Sequence, residues 1–294
     1  MFTSFHDQIS RNKRNSIILL FMIFLTFILL GYVVGRIYSG SFFIIMAGFT
    51  AFSIIYMLVG YYNSDKIALA SVGAVPAPRE QFAQYHNLVE GLCIASGMPK
   101  PKLYVMQSNQ INAFATGRDP QHAVICVTQG CLDKLNRTEL EGVLGHELSH
   151  IANFDIRFMT LTAVLVGMIA IISQMFLRSL WLRGSHDRDS KGSAILMLVG
   201  ILLAILAPIF VQLVQLAISR KREYAADASS VKFTRYPDGL INALKKIGKE
   251  NEPEKIVNKA VAPLFISDPF KRKVQGLFMT HPPVSERIKV LERM

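Results

Sequence analysis

Four apolar runs, residues 17–35, 41–62, 158–177 and 194–218, constrain this chain more than any other feature. Each meets the need for about 20 apolar residues in a helix that crosses a bilayer. In hydrocarbon every backbone N–H and C=O must be satisfied within the chain, so runs of this kind have to be helical. The link at 36–40 is short, and the one at 178–193 is polar, with Trp181, His186 and Asp187. Each pair of runs therefore makes a hairpin that brings the chain back to the side it left. The two polar stretches, 63–157 and 219–294, then share one face of the membrane. Pro208 should kink the fourth run, and Gln212 and Gln215 mark a wetter or protein-facing side. A buried helical hairpin inside a soluble domain is the alternative for the third and fourth runs.

Charge supports the membrane reading. Of 294 residues 51% are hydrophobic and 18% charged, against about 25% charged in ordinary soluble domains. The net charge of +11 could suggest nucleic acid. Yet the basic residues cluster beside apolar runs, as in Arg11, Lys13 and Arg14 or Arg220, Lys221 and Arg222, which suits an anionic lipid surface. No RNA or DNA motif accompanies them, so no nucleic-acid partner is expected. The first run is too long for a signal-peptide core and no small-residue cleavage site follows, so it reads as an uncleaved anchor. Lysine and arginine before that run, against Arg36 alone after it, put residues 1–16 in the cytoplasm. Arg178, Arg183, Arg188 and Lys191 in the second link pull the other way. Cys93, Cys126 and Cys131 cannot all pair and form no CxxC, which fits small buried side chains in a reducing compartment.

Between the hairpins the pattern is that of a small α+β unit. A helix is expected over residues 79–96, closed by Gly97, and strands over 102–106, 112–117 and 123–128. A further helix holds His146-Glu-Leu-Ser-His150, with Thr138 and Glu141 as its capping box. His146 and His150 are i and i+4, so both imidazoles leave one side of the helix and can reach one metal ion. Glu147 faces the open position, where it can take a proton from an attacking water.

After the fourth run, Glu223-Tyr-Ala-Ala-Asp227 repeats the i, i+4 spacing with carboxylates. A glutamate from a second helix completes a His₂Glu zinc site, and Asp227 can accept the remaining ring N–H of a ligating histidine. By itself the pair would equally suit a solvated charged face. Ala225, Ala226 and Ala228 are small enough to let the helices approach. If helix continues, Glu223 lies roughly 7–8 Å beyond the fourth run and His150 roughly 12 Å before the third. The metal would then sit just above the membrane surface. Helix is expected on to about Lys249, with a closing helix from about Val284. His6, His86, His122 and His186 lack an i+4 partner and read as surface or structural residues.

The order of apolar runs, Asn112-Ala-Phe-Ala115, the histidine motif, Glu223-Tyr-Ala-Ala-Asp227 and Thr280-His-Pro-Pro-Val-Ser-Glu-Arg287 resembles the HtpX family of membrane zinc endopeptidases. That family belongs to the gluzincins, with the CAAX prenyl endopeptidases. The likeness covers essentially the whole chain. It implies a mainly α membrane protein with four transmembrane helices and a cytoplasmic, zincin-like α+β metalloprotease domain containing a small sheet. It implies one Zn²⁺ on His146, His150 and Glu223, with Glu147 as general base and acid and Asp227 behind a histidine. It further implies that His281 and Arg287 meet the oxyanion, and that Asn112, Ala113, Phe114 and Ala115 form an exposed edge that pairs with substrate backbone. From the residues alone that stretch would equally be a core strand, and His281 a loop histidine. The expected partners are polypeptides, chiefly damaged membrane proteins, with the lipid bilayer and room for a homo-oligomer. The expected place is a bacterial inner membrane, both termini cytoplasmic, in protein quality control and stress response. A narrow processing peptidase of the CAAX type and a silent zinc-binding scaffold are the rivals.

Overall fold

The computed structural model describes residues 5–37, 41–162, 220–250, 264–267 and 282–294. The third run beyond residue 162, its link and the whole fourth run lie outside the described residues.

The first two runs form a helical hairpin. Helix α1 spans Phe5–Ile37 and α2 spans Phe42–Tyr62. They interlock where glycine removes bulk: Gly31 lies against Phe49, and Gly35 against Phe42. Phe27 meets Phe52 edge-on at 5.2 Å between ring centroids. Elsewhere the hairpin leaves Phe21, Phe43, Ile44 and Ile55 uncovered. Uncovered side chains of this size are what lipid, not water, would surround. Among the described residues these are the two helices long and apolar enough to cross a membrane. The polar N-terminal stretch is helical from Phe5 onward, continuous with the first apolar run.

Helix α3 (Ser64–Ser71) follows α2 at once and runs beneath a mixed sheet. Its strands are β1 (Val75–Pro76), β2 (Lys102–Met106), β3 (Ala113–Gly117) and β4 (Ala123–Thr128), in the order β1-β2-β4-β3. β4 runs parallel to β2 and antiparallel to β3. Every residue of β4 is buried, because both sheet faces are covered. Ile125 and Val127 face α4 (Ala83–Ser96) and the motif helix. Val124 and Cys126 face Ala68 and Leu69 of α3, Met159 and Phe265. All three cysteines are free and buried, as expected. Helix α4 starts four residues later than expected, since Pro78 accepts from the N–H groups of Gln81 and Phe82 in a preceding turn. It ends at Gly97 in the left-handed region, φ 69°.

A short α5 (Gln129–Lys134) leads into α6 (Arg137–Ala152), which carries the histidine motif. The expected Thr138/Glu141 capping box is corrected to Asn136/Glu139. Asn136 Oδ1 accepts the Glu139 N–H at 2.9 Å, and Glu139 Oε2 accepts the Asn136 N–H at 2.8 Å. The Thr138 hydroxyl is spent on Asn136 Oδ1 instead. Residues 155–162 are helical again. The helix expected through Lys249 is two, α7 (Arg220–Thr234) and α8 (Pro237–Glu250). Pro237 disfavours helix at Tyr236 before it, and Arg235 turns the chain with φ 54°. Helix α9 spans Val284–Leu291.

Helix α6 is buried on all sides from Gly142 to Ala152. Two glycines make that possible. A Cβ at Gly142 would stand 2.6 Å from the Leu240 backbone nitrogen, and one at Gly145 would stand 2.8 Å from Ser230 Oγ. Ser230 Oγ donates to the Gly142 carbonyl at 2.7 Å, which ties α7 to α6 through backbone. The smallness that brings the helices together is therefore on α6 at least as much as at Ala226, the one fully buried residue among the three expected alanines.

Candidate metal centre

Two consecutive turns of α6 and one turn of α7 converge. His146 Nε2 and His150 Nε2 stand 3.2 Å apart, and each lies 3.7 Å from a carboxylate oxygen of Glu223. All three residues are buried. Bonds of about 2.0–2.1 Å to a tetrahedral zinc place ligand atoms roughly 3.3 Å apart. The observed separations match a cage of that size.

The donor set supports the fit. His146 Nδ1 lies 2.9 Å from Asp227 Oδ1, and His150 Nδ1 lies 3.0 Å from Asp155 Oδ2. A carboxylate accepts only from N–H, so both Nδ1 atoms carry hydrogen and both Nε2 lone pairs point inward. Two facing lone pairs at 3.2 Å need a proton or a cation between them. Burial and the nearby Arg287 lower the pKa of His146 to about 4, against the pull of Asp227. Burial also opposes protonation of His150, but Asp155, Glu223 and Glu147 together raise its pKa to about 9. Such a pocket recruits positive charge.

Glu147 faces the same pocket and is 1% exposed. Neither carboxylate oxygen has a hydrogen-bond partner of good geometry among the described residues. Burial, with Glu223 beside it, raises its pKa to about 7, although His150, Arg287 and the Ala115 backbone on β3 favour its charged form. An orphaned buried carboxylate beside three convergent ligand atoms fits a site built around a cation and water.

Arg287 of α9 is wholly buried. It donates through Nε to Asp227 Oδ2 at 2.9 Å, through Nη2 to Asp227 Oδ1 at 2.6 Å and through Nη1 to the Ile266 carbonyl at 3.2 Å. Nη1 is also 3.7 Å from Glu223 Oε2. Three of its five N–H groups are used in this way, two of them on the Asp227 carboxylate behind His146. His281 lies outside the described residues.

The expected substrate edge is altered in a specific way. β3 is an edge strand by sheet order, but Asn112, Ala113, Phe114 and Ala115 are all buried. The chain's own residues 264–267 lie along it. Phe265 bridges Phe114 in antiparallel fashion, and the Ile266 N–H donates to the Ala113 carbonyl at 2.9 Å. Asn112 holds that segment with its amide, donating to the Ser267 carbonyl at 3.0 Å. The outer edge at 112–114 is therefore covered.

Asp155 is the functional residue that sequence reasoning missed. It lies five positions after His150, beyond a turn at Asn153 and Phe154, and the signal was only a carboxylate soon after the second histidine. Arg222 Nε reaches its Oδ1 at 3.2 Å, and Asn12 of α1 does so at 2.6 Å. Of the histidines outside the motif, His86 bonds the Ala77 carbonyl and His122 bonds Asp119, both structural roles.

Comparison with known proteins adds independent findings. The model of peptidase family M48 matches residues 79–294. A relative from Caldanaerobacter subterraneus subsp. tengcongensis, a protease HtpX homolog, is 51% identical over 247 residues, which is 83% of this chain and 82% of the relative. The protease HtpX homolog of Dictyoglomus thermophilum is 44% identical over 99% of this chain and 95% of its own length. That of Streptococcus pneumoniae is 43% identical over 98% and 99%. The crystal structure of S. mikatae Ste24p shares the fold at a TM-score of 0.53 and 20% identity. The match covers 96% of this chain but spans only 65% of that one.

Proposed function

Because the chain belongs to peptidase family M48, among the membrane-associated HtpX metalloproteases, we propose that it is a zinc endopeptidase of damaged or misfolded membrane proteins, acting at the cytoplasmic face. The observation that carries this is the convergence of His146 Nε2, His150 Nε2 and Glu223 on one point beside the bare carboxylate of Glu147.

Zinc bound there supplies Lewis acidity, polarising the scissile carbonyl and making water a stronger acid. Glu147 takes the proton of the attacking water and delivers it to the leaving amine. Asp227 and Asp155 hold the two ligand rings in the tautomer that presents Nε2. Arg287 neutralises Asp227 and steadies Glu223. His281 and Arg287 meet the oxyanion, donors whose loss typically costs about 10²–10³ in rate. Substrate backbone pairs along β3 at and beyond Ala115, next to the segment at 264–267.

The proposal includes four spans, 17–35, 41–62, 158–177 and 194–218. They frame a cytoplasmic N-terminus at 1–16 and a cytoplasmic protease domain built from 63–157 and 219–294. Both termini are cytoplasmic in an inner membrane, and a homo-oligomer is compatible with this layout. That α7 packs against α6, with Ser230 Oγ on the Gly142 carbonyl, supports a second hairpin returning to the side it left.

The test uses detergent-purified full-length protein with zinc analysis and a casein assay. Wild type should hold one zinc and cleave. Glu147→Ala should keep the metal and lose roughly 10²–10⁴ in rate. Glu223→Ala should lose both, and retention of both would overturn the ligand set. Full activity in Glu147→Ala would refute the proton transfer. A strong preference for a prenylated peptide over casein would favour narrow processing instead.

A further inference from the structure

The first apolar helix touches the metal cluster through one polar side chain. Asn12 lies on α1 ahead of the apolar run, yet it is only 6% exposed. Its Nδ2 donates to the Asn153 carbonyl at 3.0 Å and to Asp155 Oδ1 at 2.6 Å. The other oxygen of Asp155 accepts from His150 Nδ1. The chain of contacts is thus short: Asn12, Asp155, His150, and then the metal position.

The turn that carries Asp155 needs outside support. Phe154 sits at φ 58°, a conformation that a bulky residue adopts only when its surroundings impose it. Asn12 on α1 supplies the constraint by binding the turn's backbone, whereas Lys13 Nζ only stands over the Phe154 ring, 4.4 Å from its centroid. A buried amide is unfavourable unless its hydrogens are used, and here both meet acceptors that shape the site. Leucine would fill the same space in a helix that served only as an anchor.

We infer that Asn12 is a positioning residue for the metal site, acting through Asp155 on the ring of His150, so that the first apolar helix is part of the catalytic unit. The inference rests on His150 being a metal ligand. Asp155 Oδ1 is shared by Asn12 and Arg222, which leaves Oδ2 for the histidine. Without Asn12 the carboxylate keeps Arg222 but loses the contact that locks its rotation against the turn.

The experiment measures zinc affinity by competition with a chromophoric chelator, and kcat and KM on casein, in full-length detergent-solubilised protein. Removal of a residue bonded to a metal-ligating histidine typically costs 10–100-fold in affinity. One step further out, Asn12→Leu should weaken zinc binding by roughly 3–10-fold and lower kcat with KM unchanged. Lys13→Met, which loosens the same helix from Phe154 without touching Asp155, should leave zinc affinity within about twofold. Equal losses in both variants would reduce the effect to helix docking and overturn the inference. So would wild-type affinity in a folded Asn12→Leu protein. Should that variant not fold, Asn12→Ser, which cannot span both acceptors, carries the same decision. His150→Ala separates the two readings: full zinc retention there would sink the ligand assignment itself.

Discussion

His146 and His150 present the same atom to the same point, but each is held by different machinery. Behind His146 stand Asp227 and the fully buried Arg287, joined by two hydrogen bonds of 2.9 and 2.6 Å from α9 to α7. Behind His150 stand Asp155, the partly exposed Arg222 and the neutral Asn12. One half is a closed ion pair within the protease domain. The other is an open junction where a turn, α7 and the first apolar helix meet. The difference teaches that two equivalent ligands need not tolerate damage equally, because burial decides what a lost partner costs.

The largest effect should come from making one substitution in both halves. Arg287→Met leaves Asp227 as an uncompensated buried charge and should destabilise the fold by about 3–5 kcal/mol. Arg222→Met removes a partner from the buried Asp155 but leaves it Asn12 and His150, and should cost less, about 1–3 kcal/mol. Chemical unfolding of the two proteins in detergent checks the pair, and equal losses would erase the distinction.

That asymmetry also marks what the sequence could reveal. His146, Glu147 and His150 are legible because one helix turn contains them. Glu223 and Asp227 repeat the spacing, so the half behind His146 was visible once the motif was seen. Asp155 follows a turn with positive φ, and Asn12 comes from a helix far away in the chain. No local period predicts either. The cover on β3 was hidden for the same reason, since only the fold brings Phe265 beside Phe114. The cap at Asn136 was a matter of competition: two capping patterns overlap there, and the Thr138 hydroxyl bonds Asn136 instead. The strands and the first hairpin were legible because short and long unbroken apolar runs mark them.

A finer comparison concerns the aspartates. Asp227→Asn and Asp155→Asn each weaken control of a ligand ring, and each should reduce zinc affinity by about 10–100-fold. Chelator competition on the two purified proteins measures this. A loss in only one would mean that only one histidine depends on its carboxylate.

The smallest expected effect is in acid. Burial alone would raise the pKa of Asp227, but Arg287 and the bond to His146 outweigh it and hold it below its ordinary value of 3.8. The stabilisation is therefore complete above that value and is lost as pH falls through the lower, folded one. Metal-free wild type should lose stability below about pH 4 more steeply than Asp227→Asn. Parallel acid-unfolding curves would show that the ion pair does not govern this half.

The glycines of α6 set how freely this region can vary. Position 142 meets the backbone of Leu240, which cannot step aside without shifting α8. Position 145 meets a hydroxyl, which can rotate if it gives up its bond to the Gly142 carbonyl. A saturation library scored for folded protein should therefore find position 142 closed to every other residue. Position 145 should admit alanine, and more readily when Ser230 changes with it. The two ligand-bearing helices are fixed in register by the absence of side chains, and drift in one has to wait for compensation in the other.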